Sequence, residues 1–369
     1  MWSFIYLYIF CFSLLLSLLL TPWAKKLAIK FKILDYPGER KLQDKPIPLM
    51  GGLAIFLAFL ITIVVNILIL LIIKSNPGFL KLLPGEFGST LTRSLPRFLK
   101  LLPQLIGILL GGTVILLLGL IDDIKGLKPQ TKILGQVLVI LPLIALGVRI
   151  TLFIPSFFIS SLITLLWIVA IINAFNLLDN MDGLTTGVGL IACLICFIVT
   201  SQQHQTFTSI AILVFAGALL GFLRYNFHPA KIFLGDAGSM FIGYMLAVLT
   251  ITATYYKEGF PTYLPVVMPI LILAVPIFDT LSVISIRIKR KEPVFGGDKN
   301  HFSHRLVALG FSQRGAVLFI YLITFCLGIT ATLLTQVNIL GGIIIFIQAA
   351  LVLSIIALLA SVAKREKKE

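Results

Sequence analysis

Apolar residues run through the chain in long blocks separated by short polar gaps. The blocks fall at about 2–24, 47–73, 104–121, 131–148, 155–175, 184–201, 207–223, 239–256, 263–286, 315–335 and 338–362, each near the roughly 20 residues a helix needs to cross a bilayer. The pattern predicts an all-α polytopic membrane protein of eleven transmembrane helices, with residues 1–369 as one domain. Met1-Trp2-Ser3 carries no basic start and no small-residue cleavage pattern follows, so the first block is expected to stay as an anchor.

Composition agrees: 59% of residues are hydrophobic and 12% charged, with a mean hydropathy of +1.06, which excludes a soluble domain. Most of the 30 Lys and Arg residues fall in the odd-numbered loops and the C-terminal tail, predicting that these face the cytoplasm. The net charge of +15 is then largely topological. What remains suits anionic membrane lipids or a phosphorylated substrate, and nothing supports a nucleic-acid partner.

One loop strains this arrangement. Residues 74–103 should lie outside, yet carry Lys74, Lys81, Arg93, Arg97 and Lys100 against Glu86 alone. Phe79, Leu80, Leu83, Phe87, Leu91, Leu95 and Phe98 interleave with these charges, and the segment is expected to lie in the external interface. The four cysteines, Cys11, Cys193, Cys196 and Cys326, sit inside apolar blocks, where packing accounts for them better than redox or zinc chemistry.

Three gaps on the predicted cytoplasmic side hold Asp122 and Asp123, Asp179 and Asp182, and Asp236. Carboxylates kept together against a low-dielectric slab repel one another unless a cation joins them. In the second gap, steps of three place Asn173, Asn176 and Asp179 along one helix side, with Asp182 next in the row. Such hard oxygen ligands suit Mg²⁺, with Mn²⁺ as a substitute, because Mg²⁺ takes few protein ligands and completes its shell with water and substrate phosphates. In the third gap Asp236 stands between Gly235 and Gly238, ahead of Ser239, at the start of a helix, where glycines would let phosphate oxygens approach the backbone. The ninth loop, within a cytoplasmic segment at 287–314, brings His301, His304 and Arg305 beside Lys299, a set able to clamp a diphosphate.

These motifs, in this order, give the chain its resemblance to a family. Asp35-x-Pro37-x-x-Arg40-Lys41 with Pro46-Ile-Pro48-x-x-Gly51-Gly52, Asp122-Asp123-x-x-x-Leu127, the run NAFNLLDNMDGL from Asn173, FLGDAGSMFIGY from Phe233, Pro276-Ile-Phe-Asp279-Thr280 and DKNHFSHRL from Asp298 resemble the polyprenyl-phosphate N-acetylhexosamine-1-phosphate transferases of glycosyltransferase family 4. The WecA/TagO branch fits better than the related MraY branch, which carries a His-His-His-Phe-Glu run where this chain has His301-Phe-Ser-His304-Arg305. Gln43 in place of a common His and the long 74–103 loop depart from the pattern.

The resemblance implies a bacterial plasma-membrane enzyme with a cytoplasmic active site, transferring N-acetylglucosamine 1-phosphate from UDP-N-acetylglucosamine to undecaprenyl phosphate and releasing UMP. It implies Mg²⁺ on Asp236 and Asn176, with Asp179 as a further candidate. Lys45, Lys132, His301, His304 and Arg305 would contact phosphates, while Phe233, Asn226 and Asp182 hold the uridine; Asn173, Gly235 and Ser239 complete the substrate site. Asp122 and Asp123 would orient or deprotonate the lipid phosphate. Asp279, about two turns inside the ninth block, is equally a partner for a basic residue or a structural contact, and a homodimer is left open. The competing class is an ion-coupled transporter, whose charges tend to sit near the membrane midplane in repeated halves; a non-catalytic lipid scaffold would not need five converging carboxylates.

Overall fold

The computed structural model of the chain describes residues 2–37, 45–75, 85–151, 154–293 and 300–366, without the side chains of 85–91, 93 and 358–366. Arg40, Lys41, Gln43, Phe79, Leu80, Lys81, Leu83, Gly296, Gly297, Asp298 and Lys299, together with the side chains of Glu86, Phe87, Leu91 and Arg93, therefore lie outside the described residues.

The helices are α1 (Trp2–Lys30), α2 (Gly51–Ser75), α3 (Gly85–Lys125), α4 (Pro129–Ala145), α5 (Phe157–Leu178), α6 (Leu184–Gln202), α7 (Thr206–Asn226), α8 (Gly235–Thr252), α9 (Met268–Ile272), α10 (Ala274–Lys289), α11 (Phe302–Ala308), α12 (Gln313–Thr332) and α13 (Ile339–Glu366). All eleven predicted apolar blocks are largely helical. Among the described residues, however, nine helices are long and apolar enough to cross a membrane, and ten if Leu264–Ile272 and Ala274–Lys289, bent by 67° at their junction, count as one span. The protein is thus an all-α multi-pass membrane protein, and the count of eleven is not reproduced. The shortfall lies at α4, where the chain leaves the helix after Ala145 and turns through Gly147 at φ 89°, ending it within the apolar run.

The predicted boundary at residue 104 also moves. Residues 85–103 continue straight into the third span as one 41-residue helix that carries Pro96 and Pro103 inside it. Its polar start is amphipathic: Phe98 is buried while Arg97 and Lys100 are exposed, so the apolar run alone underestimates the helix.

The centre of the bundle is α8, whose side chains are almost all buried, packed against α2, α3, α5, α6 and α7. Phe241 on α8 meets Phe56 and Phe59 on α2 and Phe215 on α7 edge-to-face, a favoured geometry for aromatic rings. On the bundle's flank α1 lies against α7 through small residues, with Ser13 Oγ donating to Val214 O at 2.6 Å and Ser17 Oγ to Ala218 O at 2.7 Å. Such contacts replace the hydrophobic driving force that is missing between helices in lipid.

Two-residue strands Leu34–Asp35 and Ile47–Pro48 pair antiparallel, and the following Leu49 bridges to Phe233. Gly51 N and Gly52 N, at the start of α2, donate to Phe233 O and Leu234 O, each at 3.0 Å. A Cβ on Gly52 would lie 2.3 Å from Gly238 on α8. The glycines of the first and fourth motifs are therefore where two helix starts touch backbone to backbone.

Candidate active site

A cleft of about 760 Å³ opens at the end of the bundle where these helix starts meet, walled by Asp35, Lys45, Asp123, Asp179, Asp182, Asn226, Phe233, Gly235, Asp236 and His304. Residues from six separate stretches of sequence converge here. Four of the five carboxylates singled out from the sequence line it, as does one of the two ninth-loop histidines.

The start of α8 is built around Asp123. Its Oδ1 accepts from Asp236 N at 2.7 Å and its Oδ2 from Ala237 N at 3.1 Å, so a carboxylate from α3 fills the anion-binding end of α8. The expectation that the glycines there admit phosphate to the backbone is corrected accordingly: Gly235, at φ 73°, leaves room for Asp123, whose Oδ2 would be 2.6 Å from a Cβ at that position, and Gly238 serves the packing with Gly52.

Asp236, thus fixed through its own amide, receives Asn176 Nδ2 at 2.7 Å on Oδ1 and Lys132 Nζ at 3.1 Å on Oδ2. Asn176 Nδ2 also donates to Ser239 Oγ at 3.0 Å, which leaves its amide oxygen as the remaining polar atom. Lys132 forms a second ion pair with Asp122. Asp122 lies behind the cleft and accepts from Leu127 N at 2.7 Å, stapling the turn between α3 and α4. Asn173, one turn deeper than Asn176, donates to Gln136 Oε1 and Val169 O and is not among the cleft residues. The helical row ends at Leu178, so Asp182 lies past it in the following turn.

Asp182 and Asn226 shape the segment 227–234. Asp182 Oδ2 accepts from Ala230 N at 3.0 Å and faces His228 Nδ1 at 2.8 Å. Buried Asn226 donates to Ile232 O and accepts from Thr186 Oγ1. Phe233 is pinned through its backbone to Pro48 O and Gly51 N, which presents its ring to the cleft beside Lys45.

The histidines of the ninth loop separate. His301 is buried with Asp279, Nδ1 to Oδ2 at 2.8 Å, while Asp279 Oδ1 accepts from Phe302 N at 2.6 Å. Asp279 therefore ties α10 to α11, a structural contact and a partner for a basic side chain at once. Ser303 Oγ donates to Asn180 Oδ1 at 2.5 Å and Arg305 Nη2 to Ser282 Oγ at 2.9 Å. Held on both sides, α11 turns His304 into the cleft, while His301 and Arg305 are not among its lining. Asp35, Asn180, His228 and Gln313 also line it without having been singled out as site residues. Asp35 and Asn180 stood in quoted motifs; His228 and Gln313 stood in none.

Enclosure at the end of α5 pushes the Asp179 carboxyl up to about 8, with repulsion from Asp236, Asp123 and Asp182 adding to it. Among the described residues no three His, Cys, Asp or Glu side chains form a ready-made metal cage. The donors present, several carboxylates lining an open cleft with the Asn176 amide next to Asp236, suit a hard cation that keeps water and shares its shell with substrate.

An all-helical membrane protein with a polar, carboxylate-rich cleft at one end of its bundle has the form of a membrane enzyme or of an ion-coupled transporter. Comparison makes this specific. The sequence profile of glycosyl transferase family 4 matches residues 105–254, the stretch that supplies Asp122, Asp123, Asn176, Asp179 and Asp236. A Bacillus subtilis (strain 168) protein described as a probable undecaprenyl-phosphate N-acetylglucosaminyl 1-phosphate transferase is 37% identical over 92% of this chain and 87% of its own length. A decaprenyl-phosphate N-acetylglucosaminephosphotransferase of Mycolicibacterium smegmatis is 35% identical over 82% of this chain and 75% of its own. A Thermotoga maritima undecaprenyl-phosphate alpha-N-acetylglucosaminyl 1-phosphate transferase is 25% identical over 85% and 92%. The chain belongs to the polyprenyl-phosphate N-acetylglucosamine-1-phosphate transferase family, and it is a membrane-embedded transferase.

Proposed function

We propose that the protein transfers N-acetylglucosamine 1-phosphate from UDP-N-acetylglucosamine to undecaprenyl phosphate at the cytoplasmic face of a bacterial plasma membrane, as the first membrane step of a cell-envelope glycan such as lipopolysaccharide or teichoic acid. The observation that carries this reading is the cleft itself: Asp123, Asp179, Asp182 and Asp236 gathered with Lys45 and His304 around one opening at the helix ends. Such a site handles anions through a cation while remaining level with a lipid headgroup.

An oxygen of the lipid phosphate attacks the β-phosphorus of the nucleotide sugar, forming one P–O bond as the bond to the bridging oxygen breaks, and UMP leaves with that electron pair. Two anions must meet, so positioning and charge neutralisation provide most of the acceleration. Mg²⁺, held by Asp236 with Asn176 and Asp179 and replaceable by Mn²⁺, would act as Lewis acid on the diphosphate. Lys132, already drawn to Asp236 and Asp122, neutralises charge beside Asp236. Lys45 and His304 bind phosphate oxygens from the cleft wall, and Arg305, outside that wall on Ser282, holds the helix that carries His304. Phe233 stacks on uracil, with Asp182 and Asn226 setting the segment that carries it.

Both oxygens of Asp123 already accept backbone amides, which favours a positioning role over nucleophilic attack by that carboxylate. No general base is needed, because a phosphate monoester with a second pKa near ~6 is mostly dianionic at neutral pH. The test is release of UMP by purified protein supplied with polyprenyl phosphate, Mg²⁺ and a panel of UDP-sugars. Turnover restricted to UDP-N-acetylglucosamine is expected, and absence of UMP with every sugar sinks the reading.

A further inference from the structure

At the end of the bundle opposite the cleft lies a second cavity of about 680 Å³, walled mainly by apolar side chains including Trp2, Ile63, Ile73, Phe98, Phe207 and Leu249. Its position follows from the helices: α7 and α8 reach the cleft with Asn226 and Gly235, α2 starts beside it with Gly51 bonded to Phe233, and all three line this cavity with their other ends. Its volume is that of a ligand site, and among the described residues no acidic side chain lines it.

Among the described residues of its wall, Arg149 is the cation. Half-buried, its guanidinium lies over the ring of Phe157 at 4.9 Å from the centroid, which holds the charge at the apolar surface. Lys74, Arg97 and Lys100, all exposed, adjoin the lining residues Ile73, Phe98 and Leu101 in sequence. This is the same positive charge that strained the topology in the sequence, found on the wrong side for the usual distribution of Lys and Arg.

We propose that this cavity is a binding site for an anionic phospholipid of the leaflet opposite the catalytic cleft, its acyl chain in the apolar cavity and its phosphate on Arg149, with Lys74, Arg97 and Lys100, exposed on the helices that form its wall, adding charge to that end of the bundle. A guanidinium presents paired donors suited to phosphate, and basic side chains near a membrane surface attract anionic lipid. The acceptor lipid is a poorer fit, since its phosphate must reach the helix ends on the other side. The site is independent of the proposed reaction.

Trp2 in the cavity wall provides the readout. With Trp23 and Trp167 replaced by Phe, the protein is placed in nanodiscs of phosphatidylcholine containing increasing brominated phosphatidylglycerol, and Trp2 quenching is followed. Half-maximal quenching is expected at a mole fraction about tenfold lower than with brominated phosphatidylcholine, and Arg149→Gln should remove most of that preference. Arg149→Lys should retain part of it, which separates lost charge from misfolding. Equal quenching by the two lipids in the parent protein overturns the proposal without recourse to any Arg149 variant, as does an unchanged preference in Arg149→Gln. Relief of quenching by stoichiometric polyprenyl phosphate also overturns it, by making the acceptor's tail the occupant.

Discussion

Replacing Gly235 by Ala tests whether Asp123 organises the catalytic end of α8. Gly235 is at φ 73°, where an L-residue costs about 1–2 kcal/mol. Its new Cβ would stand 2.6 Å from Asp123 Oδ2 and 3.2 Å from Oδ1, so the carboxylate must withdraw. It then loses at least one of two charge-assisted bonds to backbone amides, each worth about 1.5–3 kcal/mol. The total is about 2.5–5 kcal/mol. Gly126 supplies the control: it is at φ 66°, and nothing lies within 4 Å of its would-be Cβ, so Gly126→Ala should cost only the backbone share. Because Asp236 carries one of the displaced amides, activity in Gly235→Ala should fall on the order of a hundredfold, as for small misplacements of reacting groups. Apparent Tm in detergent and UMP release at saturating substrates measure the two effects. Equal losses in both variants would refute the assignment of Asp123 to the start of α8.

Asp236→Asn should abolish turnover while the protein stays inserted and folded, because it removes charge without opening a space; near-normal UMP release at millimolar Mg²⁺ would take Asp236 out of the site. Phe233→Ala should mainly raise KM for the nucleotide sugar, since stacking is similar in ground and transition states, whereas Arg305→Ala, by loosening α11 and with it His304, should depress kcat; full rescue of Arg305→Ala by saturating UDP-N-acetylglucosamine would refute that positioning role. Asp179, raised to about 8, binds a proton in the folded protein that the unfolded chain, near ~3.9, has released. Its contribution to stability is therefore lost as pH rises through about 8, so apparent Tm of metal-depleted protein should fall across that window, recover with Mg²⁺, and flatten in Asp179→Asn; a pH slope unchanged in that variant counts against it. Cysteines at Lys231 and Gln202, on opposite ends of the bundle, should be labelled from the cytoplasm and from outside respectively, and the reverse pattern overturns the orientation.

Much of this architecture could be read along the chain, because bilayer-length apolar blocks leave few places for a carboxylate to be. Once the blocks are drawn, Asp123, Asp179, Asp182 and Asp236 fall at helix ends on one side, and the cleft that gathers them follows from topology rather than from any pairwise prediction. Helix ends were harder. Block length placed a crossing at 131–148, but α4 stops at Ala145, and charge placed a loop where α3 runs on from Gly85, since basic side chains can reach away from an apolar face without breaking a helix.

The roles of individual polar residues were the least legible, and for a definite reason. An aspartate beside glycines at a helix start reads equally as a metal ligand, a cap or a phosphate cradle, and what separates these is a partner far away in sequence: Asp123 is 113 residues from the amide of Asp236 that it receives, Asp182 is 46 from His228 and Asp279 is 22 from His301. In each pair the carboxylate spends oxygens on fixing another segment of the site. Those commitments fix more precisely the side chains that line the cleft, Asp236, His304 and Phe233 among them, each carried by a different part of the chain. In a protein whose helices gain little from one another by hydrophobicity in lipid, such polar links at the helix ends are what can hold six stretches of sequence around one cleft.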